Sequence, residues 1–383
     1  MTGYDFNEKQ SGSSGVLLWI FAIVSLFMFL GVNALWASED RWAEIAREMI
    51  QTGDYLHPAI NRQIYFDKPQ LSYWFIIPWA KLFGFTELAP RIPSALAALA
   101  GLFGTLALAR KLFDSRTALL SGWFLASCYG FLFWGRTAAA DMANMSAAVL
   151  AVAWFYHCEE KPNFLKYLLF WFIAFCGALT KGLPAVAVPV VMIMPYLFRE
   201  KRFLKHLKFS NFLAFFMGLG FYFLPFILAS EIPPAPGMTF PEGPVLSGLE
   251  LVGRENIIRA FKAFDHDDPV YSYLYHLPRV LIPWSPFFLI AFGTAAAGYK
   301  KLYSRHQELF WGIVLCFLMF TASASRRWYY ILPLAPFCCI FTAAMFYRDP
   351  ENKLVKMLFS LLRYCLIFVG ACGLAAPVML PQA

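Results

Sequence analysis

The chain alternates long apolar stretches with short polar connections over nearly its whole length. A helix of about 17 to 25 apolar residues is long enough to cross a bilayer with all its backbone groups hydrogen-bonded. Twelve apolar stretches occur. We predict about eleven spans, because the stretch that begins at Leu71 is short and interrupted by proline. The apolar stretches are Val16–Leu35, Leu71–Phe85, Ile92–Phe113, Ala118–Trp134, Met142–Cys158, Phe164–Thr180, Leu183–Phe198, Phe212–Ser230, Leu277–Ala297, Leu309–Ala322, Ile331–Phe346 and Leu358–Leu380.

A segment with a different period follows the first apolar stretch. Its apolar residues recur at i, i+3, i+4, i+7 and i+8, while charged residues fill the other side. The pattern predicts an amphipathic helix in the membrane interface, with Ser38 as its N-cap and Gly53 as a left-handed stop. The apolar positions are Trp42, Ile45, Ala46, Met49 and Ile50, and the charged ones are Asp40, Arg41, Glu44, Arg47 and Glu48.

The long polar loop 230–276 carries a second pattern of this kind. Glu255, Arg259 and Lys262 share one stripe of a predicted interfacial helix, with apolar residues on the other side. The acids around His266 offer ligand types that metals accept, although adjacent acids before a proline more often form a solvated turn.

Composition agrees with a membrane protein. The 383 residues are 60% hydrophobic, 19% aromatic and 15% charged, with a mean hydropathy of +0.56. The net charge of +8 does not indicate nucleic-acid binding, because the basic residues lie in short turns and form no patch interleaved with aromatic residues. The eight cysteines lie in or beside apolar stretches without paired spacing, so neither a zinc site nor a disulfide framework is predicted.

Alternate connections are strongly basic, and by the positive-inside rule they face the cytoplasm. We therefore expect a cytoplasmic tail at 1–15 and a transmembrane domain at 16–383, with no separate C-terminal soluble domain. The loops at 36–70 and 230–276 fall on the outer side. The basic connections contain Arg110, Lys111 and Arg116; Lys161 and Lys166; Arg199, Lys201, Arg202, Lys205 and Lys208; Lys300, Lys301 and Arg305; and Arg348, Lys353 and Lys356.

The charge clusters of interest then converge on the outer face. Glu39 and Asp141 supply carboxylates, and Lys68, Arg259 and Arg326 supply cations. Acids beside cations suit group transfer from a lipid phosphate, because cations stabilise the leaving phosphate while a carboxylate accepts a proton. Each residue also has a structural interpretation, such as a lysine that extends to the headgroups or an interfacial ion pair. A transporter would more often place ionisable residues near the bilayer midplane.

Several ordered motifs carry a family resemblance. They are the segment Glu39–Tyr55, the run Tyr65-Phe66-Asp67-Lys68-Pro69, Arg91–Ala95, Arg136–Asp141, Leu179–Gly182, Arg254–Phe261, Pro283-Trp284 and Ser325–Pro336. In these motifs the chain resembles the polyprenyl-phosphate-sugar-dependent C-type glycosyltransferases. That superfamily includes the dolichyl-phosphate-mannose-protein mannosyltransferases and the lipid A aminoarabinose transferases.

The resemblance implies an all-α, polytopic membrane bundle that transfers a sugar, with inversion, from an undecaprenyl-phosphate-type donor. The acceptor would be lipid A, lipopolysaccharide or another envelope glycan, on the outer face of the bacterial cytoplasmic membrane. The implied catalytic acids are Glu39, Asp40 and Asp141; the implied donor-phosphate ligands are Lys68, Arg259 and Arg326; and the supporting residues are Asp67, Arg41, Glu44, Tyr65, Arg136, Lys181 and Glu255.

Alternatives remain at this stage. A lipid-linked sugar flippase would also need many spans, and a protein O-mannosyltransferase would share the fold. No cofactor is required, and a divalent metal at Asp67 or His266 is left open.

Overall fold

The computed structural model describes residues 8–240, 249–250 and 268–348, together with residues 357, 360 and 364. Within those ranges the chain is helical apart from one two-stranded hairpin. The second predicted interfacial helix lies outside the described residues, as does nearly all of the last predicted span. The all-α fold class is confirmed.

The helices follow the predicted apolar stretches closely. In the described part of the chain they are α1 (Glu8–Phe27), α2 (Glu39–Thr52), α3 (Leu71–Phe83), α4 (Ile92–Leu112), α5 (Ser115–Ala126), α6 (Tyr129–Gly135), α7 (Asp141–Cys158), α8 (Phe164–Lys181), α9 (Pro184–Arg199), α10 (Phe203–His206), α11 (Phe209–Glu231), α12 (Tyr273–Val280), α13 (Ser285–Ala297), α14 (Ser304–Ala322) and α15 (Ala335–Arg348). The hairpin strands are β1 (Ala59–Ile60) and β2 (Gln63–Ile64).

The bundle is built around α7, which packs against α4 on one side and α8 on the other. Gly101 allows α4 and α7 to approach closely, because a Cβ at this position would lie 2.5 Å from Ser146 Oγ. The Ser146 hydroxyl then donates to the Ala97 carbonyl at 2.6 Å and joins the two helices. Small residues and side-chain hydrogen bonds of this kind are typical of contacts between membrane helices.

The described residues contain three helices, α4, α8 and α11, that are long and apolar enough to cross a membrane, and up to five such spans if two bent pairs each count as one. Shorter apolar helices accompany them, α9 among them. The chain is thus a multi-pass membrane protein, and the number of eleven spans stays a prediction.

Two stretches that the sequence predicts as single spans are bent in the structure. The stretch Ala118–Trp134 forms α5 and α6, which meet at 64°. Leu277–Ala297 forms α12 and α13, and the two arms meet at 119°. Pro283 lies at the second break, where a residue without a backbone N–H cannot continue the helical ladder.

The first span ends earlier than predicted, at Phe27 instead of Leu35. Two arginines from distant parts of the chain satisfy carbonyls that the shortened helix leaves free. Arg136 donates to the carbonyls of Ser25 and Met28, and Arg91 donates to carbonyls in the segment that follows. Because helix C-termini expose carbonyls and favour cations, these arginines stabilise the early end.

The predicted amphipathic helix is confirmed as α2. Trp42, Ile45, Ala46 and Met49 are buried against α3 and the loop before α7, while Ile50 packs at the margin of the same cluster. Gly53 ends the helix in the left-handed region with φ 73°, and its N–H donates to the Met49 carbonyl. The prediction for Ser38 is wrong in one respect, because its side chain makes no capping hydrogen bond.

A short hairpin in the loop 36–70 pairs with the beginning of the loop 230–276. Asn61 and Arg62 both have positive φ, as the tight turn between β1 and β2 requires. Thr239 pairs with β2. The Ile64 N–H donates to the Thr239 carbonyl at 2.9 Å, and the Thr239 N–H donates to the Arg62 carbonyl at 2.9 Å. The beginning of the second outer loop is thereby fixed on the first.

Candidate active site

Glu39 begins α2 and is buried where the end of α1, the start of α4 and the loop before α7 meet. Its carboxylate accepts from Arg91 Nε at 3.0 Å and from Arg91 Nη2 at 2.7 Å. It also accepts the backbone N–H groups of Ala138 at 2.7 Å and Trp36 at 3.2 Å. Four donors on one buried carboxylate are the arrangement of an anchor, because a buried ion pair is stable only when its remaining lone pairs are satisfied.

Arg91 is the other half of this anchor. Beyond Glu39 it donates to the carbonyls of Leu30 at 3.0 Å, Asn33 at 2.8 Å and Ala34 at 3.0 Å. The pair therefore fixes the start of α2 and the segment after α1 on the bundle. The sequence places Arg91 in a motif of the resemblance but gives it no role, since nothing local marks a partner 52 residues away.

An ion cluster lies in the same first turn of α2, where Arg41 meets the end of the loop 36–70. Arg41 Nη1 lies 2.9 Å from Asp67 Oδ2 and donates to the Tyr65 hydroxyl at 3.1 Å. Lys68 Nζ lies 3.2 Å from Asp67 Oδ1 and donates to the Asp67 carbonyl at 3.0 Å. The four residues were predicted as site residues, and the fold brings them together.

Two cations, Arg41 and Lys68, share the one carboxylate of Asp67 in this cluster. Its side chains are mostly shielded, with exposures of 31% for Arg41, 23% for Asp67 and 15% for Lys68. Burial opposes ionisation of Arg41, but Asp67 and Tyr65 outweigh it, so the pKa of Arg41 lies above its ordinary value. A half-buried cluster of this charge is suited to a phosphate, whose oxygens accept strong hydrogen bonds from such cations.

A cavity of about 560 Å³ adjoins the charged face of α2. Asp40, Arg41 and Glu44 line it from α2, and Ile76 and Ala80 line it from α3. Glu44 is paired with Arg47, and the hydrogen bond from this arginine lowers the pKa of Glu44 below its ordinary value. Asp40 is exposed, and in the described part of the chain its carboxylate accepts only the Arg41 backbone N–H, at 2.8 Å.

A second ion pair joins α7 to α8. Asp141, the first residue of α7, contacts Lys181, the last residue of α8, through Oδ1 and Nζ. Lys181 Nζ also lies 4.5 Å from the ring centroid of Tyr329 and 4.7 Å from that of Tyr330. The ammonium group is thus held by a carboxylate and two aromatic faces. The sequence predicts Asp141 and Lys181 as site residues but gives the two tyrosines no part in the site.

Two predicted site arginines are bound to carbonyl groups. Arg136 does not pair with Asp141, and its guanidinium instead donates to the carbonyls of Ser25 and Met28. Arg326 Nε donates to the Asp268 carbonyl at 2.7 Å, and its Nη1 contacts the carbonyls of Thr321 and Ser323. Arg326 therefore holds the loop after α14 in place.

Asp54 and His57 form a pair that no pattern in the sequence predicts. Their side chains approach at 2.8 Å, and His57 Nε2 lies 2.9 Å from the Ala229 carbonyl of α11. Asp54 Oδ2 also accepts the Ala235 backbone N–H at 3.0 Å. Burial raises the pKa of Asp54, but the backbone N–H groups of Ala235, His57 and Leu56 outweigh it, so that pKa lies below its ordinary value.

Of the two predicted metal ligands, Asp67 lies among the described residues and His266 does not. No group of three or more His, Cys, Asp or Glu side chains with metal-binding geometry occurs among the described residues. Asp67, one predicted metal ligand, is held by Arg41 and Lys68. Glu255, Arg259 and His266 lie outside the described ranges.

The chain is similar in sequence to a protein family and to several characterised proteins. Residues 67–228 match the family model of dolichyl-phosphate-mannose-protein mannosyltransferase. The undecaprenyl phosphate-alpha-4-amino-4-deoxy-L-arabinose arabinosyl transferase of Aeromonas hydrophila is 30% identical over 344 residues, covering 85% of this chain and 59% of that protein. The enzyme of the same name from Shewanella sediminis is 26% identical over 351 residues, covering 87% of this chain and 60% of that protein. The chain thus spans about three fifths of the length of these relatives.

A solved structure has the same fold. ArnT from Cupriavidus metallidurans, bound to undecaprenyl phosphate, superposes with a TM-score of 0.75 at 22% identity, covering 97% of this chain and 66% of that chain. The resemblance that the motifs carry is confirmed: the chain has the fold of the C-type glycosyltransferases and is related in sequence to their arabinosyl transferase members.

Proposed function

We propose that the chain is a membrane glycosyltransferase that moves a sugar, with inversion, from an undecaprenyl-phosphate-type donor to lipid A or another envelope glycan. The observation that carries the proposal is the cluster of Arg41, Tyr65, Asp67 and Lys68, which gathers two cations around one carboxylate beside an amphipathic helix. The kinship with undecaprenyl-phosphate arabinosyl transferases supports it. We further propose that this site lies on the outer face of the bacterial cytoplasmic membrane, in the loop 36–70.

The charge of the cluster matches the charge that the reaction develops. The acceptor oxygen attacks the anomeric carbon opposite the phosphate, and the bond from that carbon to the phosphate oxygen breaks. A donor diester carries one negative charge, and the released monoester carries a second. Lys68 and Arg41 therefore stabilise the leaving phosphate more than the bound donor, which lowers the barrier. Asp67 holds the two cations in place.

The proposed role of each carboxylate depends on its partners. Glu39 acts as a positioning residue, because Arg91 and two backbone N–H groups occupy its oxygens. Asp40 is the acid of α2 that lines the cavity without a cation on its carboxylate, so we assign it the proton of a hydroxyl acceptor. A phosphate acceptor is already ionised and needs no such base. Asp141 orients Lys181 at the rim of the site.

Further contacts to the donor phosphate would come from the second outer loop. Thr239 pairs with β2, so the loop begins directly beside the segment that carries Lys68. We propose Arg259 as a further ligand of the donor phosphate and Glu255 as a supporting residue of the site. Arg326 supports the loop through the Asp268 carbonyl and is not proposed as a direct ligand.

A protein hydroxyl is the second candidate acceptor. The observation that favours it is the match of residues 67–228 to the mannosyltransferase family model, whose members are named for transfer to protein. Both acceptors use the same donor site, so the two candidates differ only in the product.

Mass spectrometry of the cell envelope tests the proposal. Glycolipids and glycoproteins are compared between cells with and without the chain, and between Lys68→Ala and Lys81→Ala at matched expression. Lys81 is an exposed lysine of α3 that donates to the Tyr55 hydroxyl, so it controls for the loss of a surface charge. A sugar-sized mass increment that needs the chain and Lys68, but not Lys81, supports transfer and identifies sugar and acceptor together. An increment that persists in Lys68→Ala contradicts the proposal.

A further inference from the structure

A second cavity, of about 420 Å³, opens between the end of α1 and α6. It shares no lining residue with the cavity beside α2, and Lys68, Asp67 and Arg41 do not line it. Arg91 lines one side, and its guanidinium holds Glu39. The early end of α1 makes this space, because the chain leaves the helix at Phe27 and residue 29 has a positive φ of 57°.

Two guanidinium groups besides that of Arg91 lie in or beside the cavity wall. Arg136 lines the cavity, and it uses two donors on the Ser25 and Met28 carbonyls. A guanidinium has five N–H donors, so three remain for a ligand. Arg279 lies beside the same wall, 4.5 Å from the Trp328 ring centroid and 6.0 Å from that of Tyr129. In the described part of the chain no carboxylate lies within ion-pair distance of Arg136 or Arg279.

The rest of the lining suits a lipid chain at the membrane surface. Trp36 and Phe133 pack edge to face at 5.5 Å, and Tyr129 packs against Phe133 at the same distance. Phe29 is 67% exposed and Trp36 is 49% exposed, so the apolar surface continues from the cavity to the outside of the bundle. Aromatic residues of this kind concentrate at the level of lipid headgroups. Pockets of about 300 to 1,000 Å³ commonly hold small ligands, a range that includes a headgroup with the first part of its chain.

We propose that this cavity binds the phosphate of an anionic membrane phospholipid. Arg136 binds the phosphate through its remaining N–H groups, Arg279 adds a second charge, and the aromatic wall contacts the first part of an acyl chain. The site goes beyond the proposed transfer reaction, because it uses none of the residues of the Lys68 cluster. Lipid bound here would hold the end of α1 and α6 together at the membrane surface.

Native mass spectrometry of the full chain tests this site. The protein is released from detergent after exchange with phosphatidylglycerol or phosphatidylcholine, and retained lipid is counted for the wild type and for Arg136→Gln/Arg279→Gln. Losing two phosphate contacts should weaken phosphatidylglycerol retention about tenfold or more, since about 1.4 kcal/mol corresponds to a factor of ten. Phosphatidylcholine retention should be low in both. Lys81→Ala, which removes a surface lysine that donates to the Tyr55 hydroxyl, serves as the control and should retain phosphatidylglycerol as the wild type does.

Two further arms keep the test decisive. Arg136 also caps α1, so Arg136→Gln could destabilise the fold; Arg136→Lys keeps a charge there, and Arg279→Gln leaves α1 untouched. Weaker lipid retention in Arg279→Gln at an unchanged melting temperature supports the site. Equal retention in the wild type and Arg279→Gln, with the double variant also unchanged, overturns it. Displacement of the lipid by inorganic phosphate at equal concentration would also overturn it, because the site would then recognise free phosphate.

Discussion

Arg91 and Glu39 lie 52 residues apart in the sequence and form one buried ion pair, with Arg91 Nη2 2.7 Å from Glu39 Oε2. The pair joins α2 to the start of α4, and the Ala138 N–H brings in the loop that leads to Asp141. The Glu39 carboxylate therefore joins the start of α2 both to α4 and to the segment before Asp141. Glu39, which the sequence indicates for catalysis, is therefore proposed as the residue that supports the site.

This relationship predicts a loss of stability when either partner is changed. Arg91→Met removes the cation of a buried pair, which costs about 3 to 5 kcal/mol, and also leaves the three carbonyls without their donor. Glu39→Gln should be similarly destabilised. Thermal unfolding of the detergent-solubilised variants measures the effect. A double-mutant cycle with both changes should show strong coupling, and additive effects would contradict a direct pair.

The Lys68 cluster predicts a catalytic effect without a large structural one. Lys68→Ala should lower kcat/KM about 100-fold or more, because a cation that stabilises the leaving phosphate is removed. Lys68→Arg restores the charge and should recover part of the activity. Transfer from a labelled lipid-linked sugar measures both variants. Unchanged melting temperatures would separate the loss from misfolding, whereas a Lys68→Ala protein with full activity would remove this residue from the site.

Asp40 and Glu39 should respond differently to amide substitution. Asp40→Asn should leave the melting temperature near that of the wild type, because this side chain is exposed. With a hydroxyl acceptor its activity should fall about 100-fold, the typical contribution of a general base. With a phosphate acceptor it should change little. Kinetics of the purified variant on the identified acceptor decide between these outcomes, and loss of folding in Asp40→Asn would contradict its assignment.

The Lys181 site predicts a mainly electrostatic effect. Lys181→Ala leaves Asp141, whose side chain is 8% exposed, without its ion-pair partner, which should lower the free energy of unfolding by several kcal/mol. Tyr329→Phe keeps the aromatic face but loses the hydrogen bond from Arg327 Nη1 to the hydroxyl, whereas Tyr329→Leu also removes a cation–π contact worth about 0.5 to 2 kcal/mol. Thermal unfolding of the three variants tests this order. Equal effects of Phe and Leu would contradict a role for the ring.

Asp54 predicts a specific dependence of stability on pH. The pKa of Asp54 lies below its ordinary value of about 3.9, so the folded state binds fewer protons than the unfolded state in the acid range. The stabilisation is fully present above the unfolded pKa and is lost as the pH falls through the folded pKa. Melting temperatures measured from neutral pH to about pH 3 should fall less steeply for Asp54→Asn than for the wild type. Parallel curves would contradict the assignment.

The sequence predicts the local features of this fold well, because they depend on neighbours along the chain. The apolar stripe of α2 is one example: Trp42, Ile45 and Met49 recur at helical spacing and are buried together. The grouping of Tyr65, Asp67 and Lys68 is another, since a rigid proline follows them directly.

The remaining features depend on contacts between distant segments. The first span ends at Phe27, where Arg91 and Arg136 donate to carbonyls of the chain. No pattern in residues 16–35 predicts these two donors. Hydrophobic periodicity also cannot distinguish one straight span from the bent pair α5 and α6. The partner of Asp141 also cannot be predicted from the sequence, because Lys181 contacts it only through the packing of α8 on α7.

The most direct test of the central claim uses purified protein in vesicles with a labelled undecaprenyl-phosphate-linked sugar and an envelope extract as acceptor. The account predicts that the wild type and Lys81→Ala move the label onto an acceptor and release undecaprenyl phosphate, while Lys68→Ala does so about 100-fold more slowly. Movement of the intact labelled donor across the bilayer, with no labelled product in any sample, would contradict a transferase and indicate a flippase.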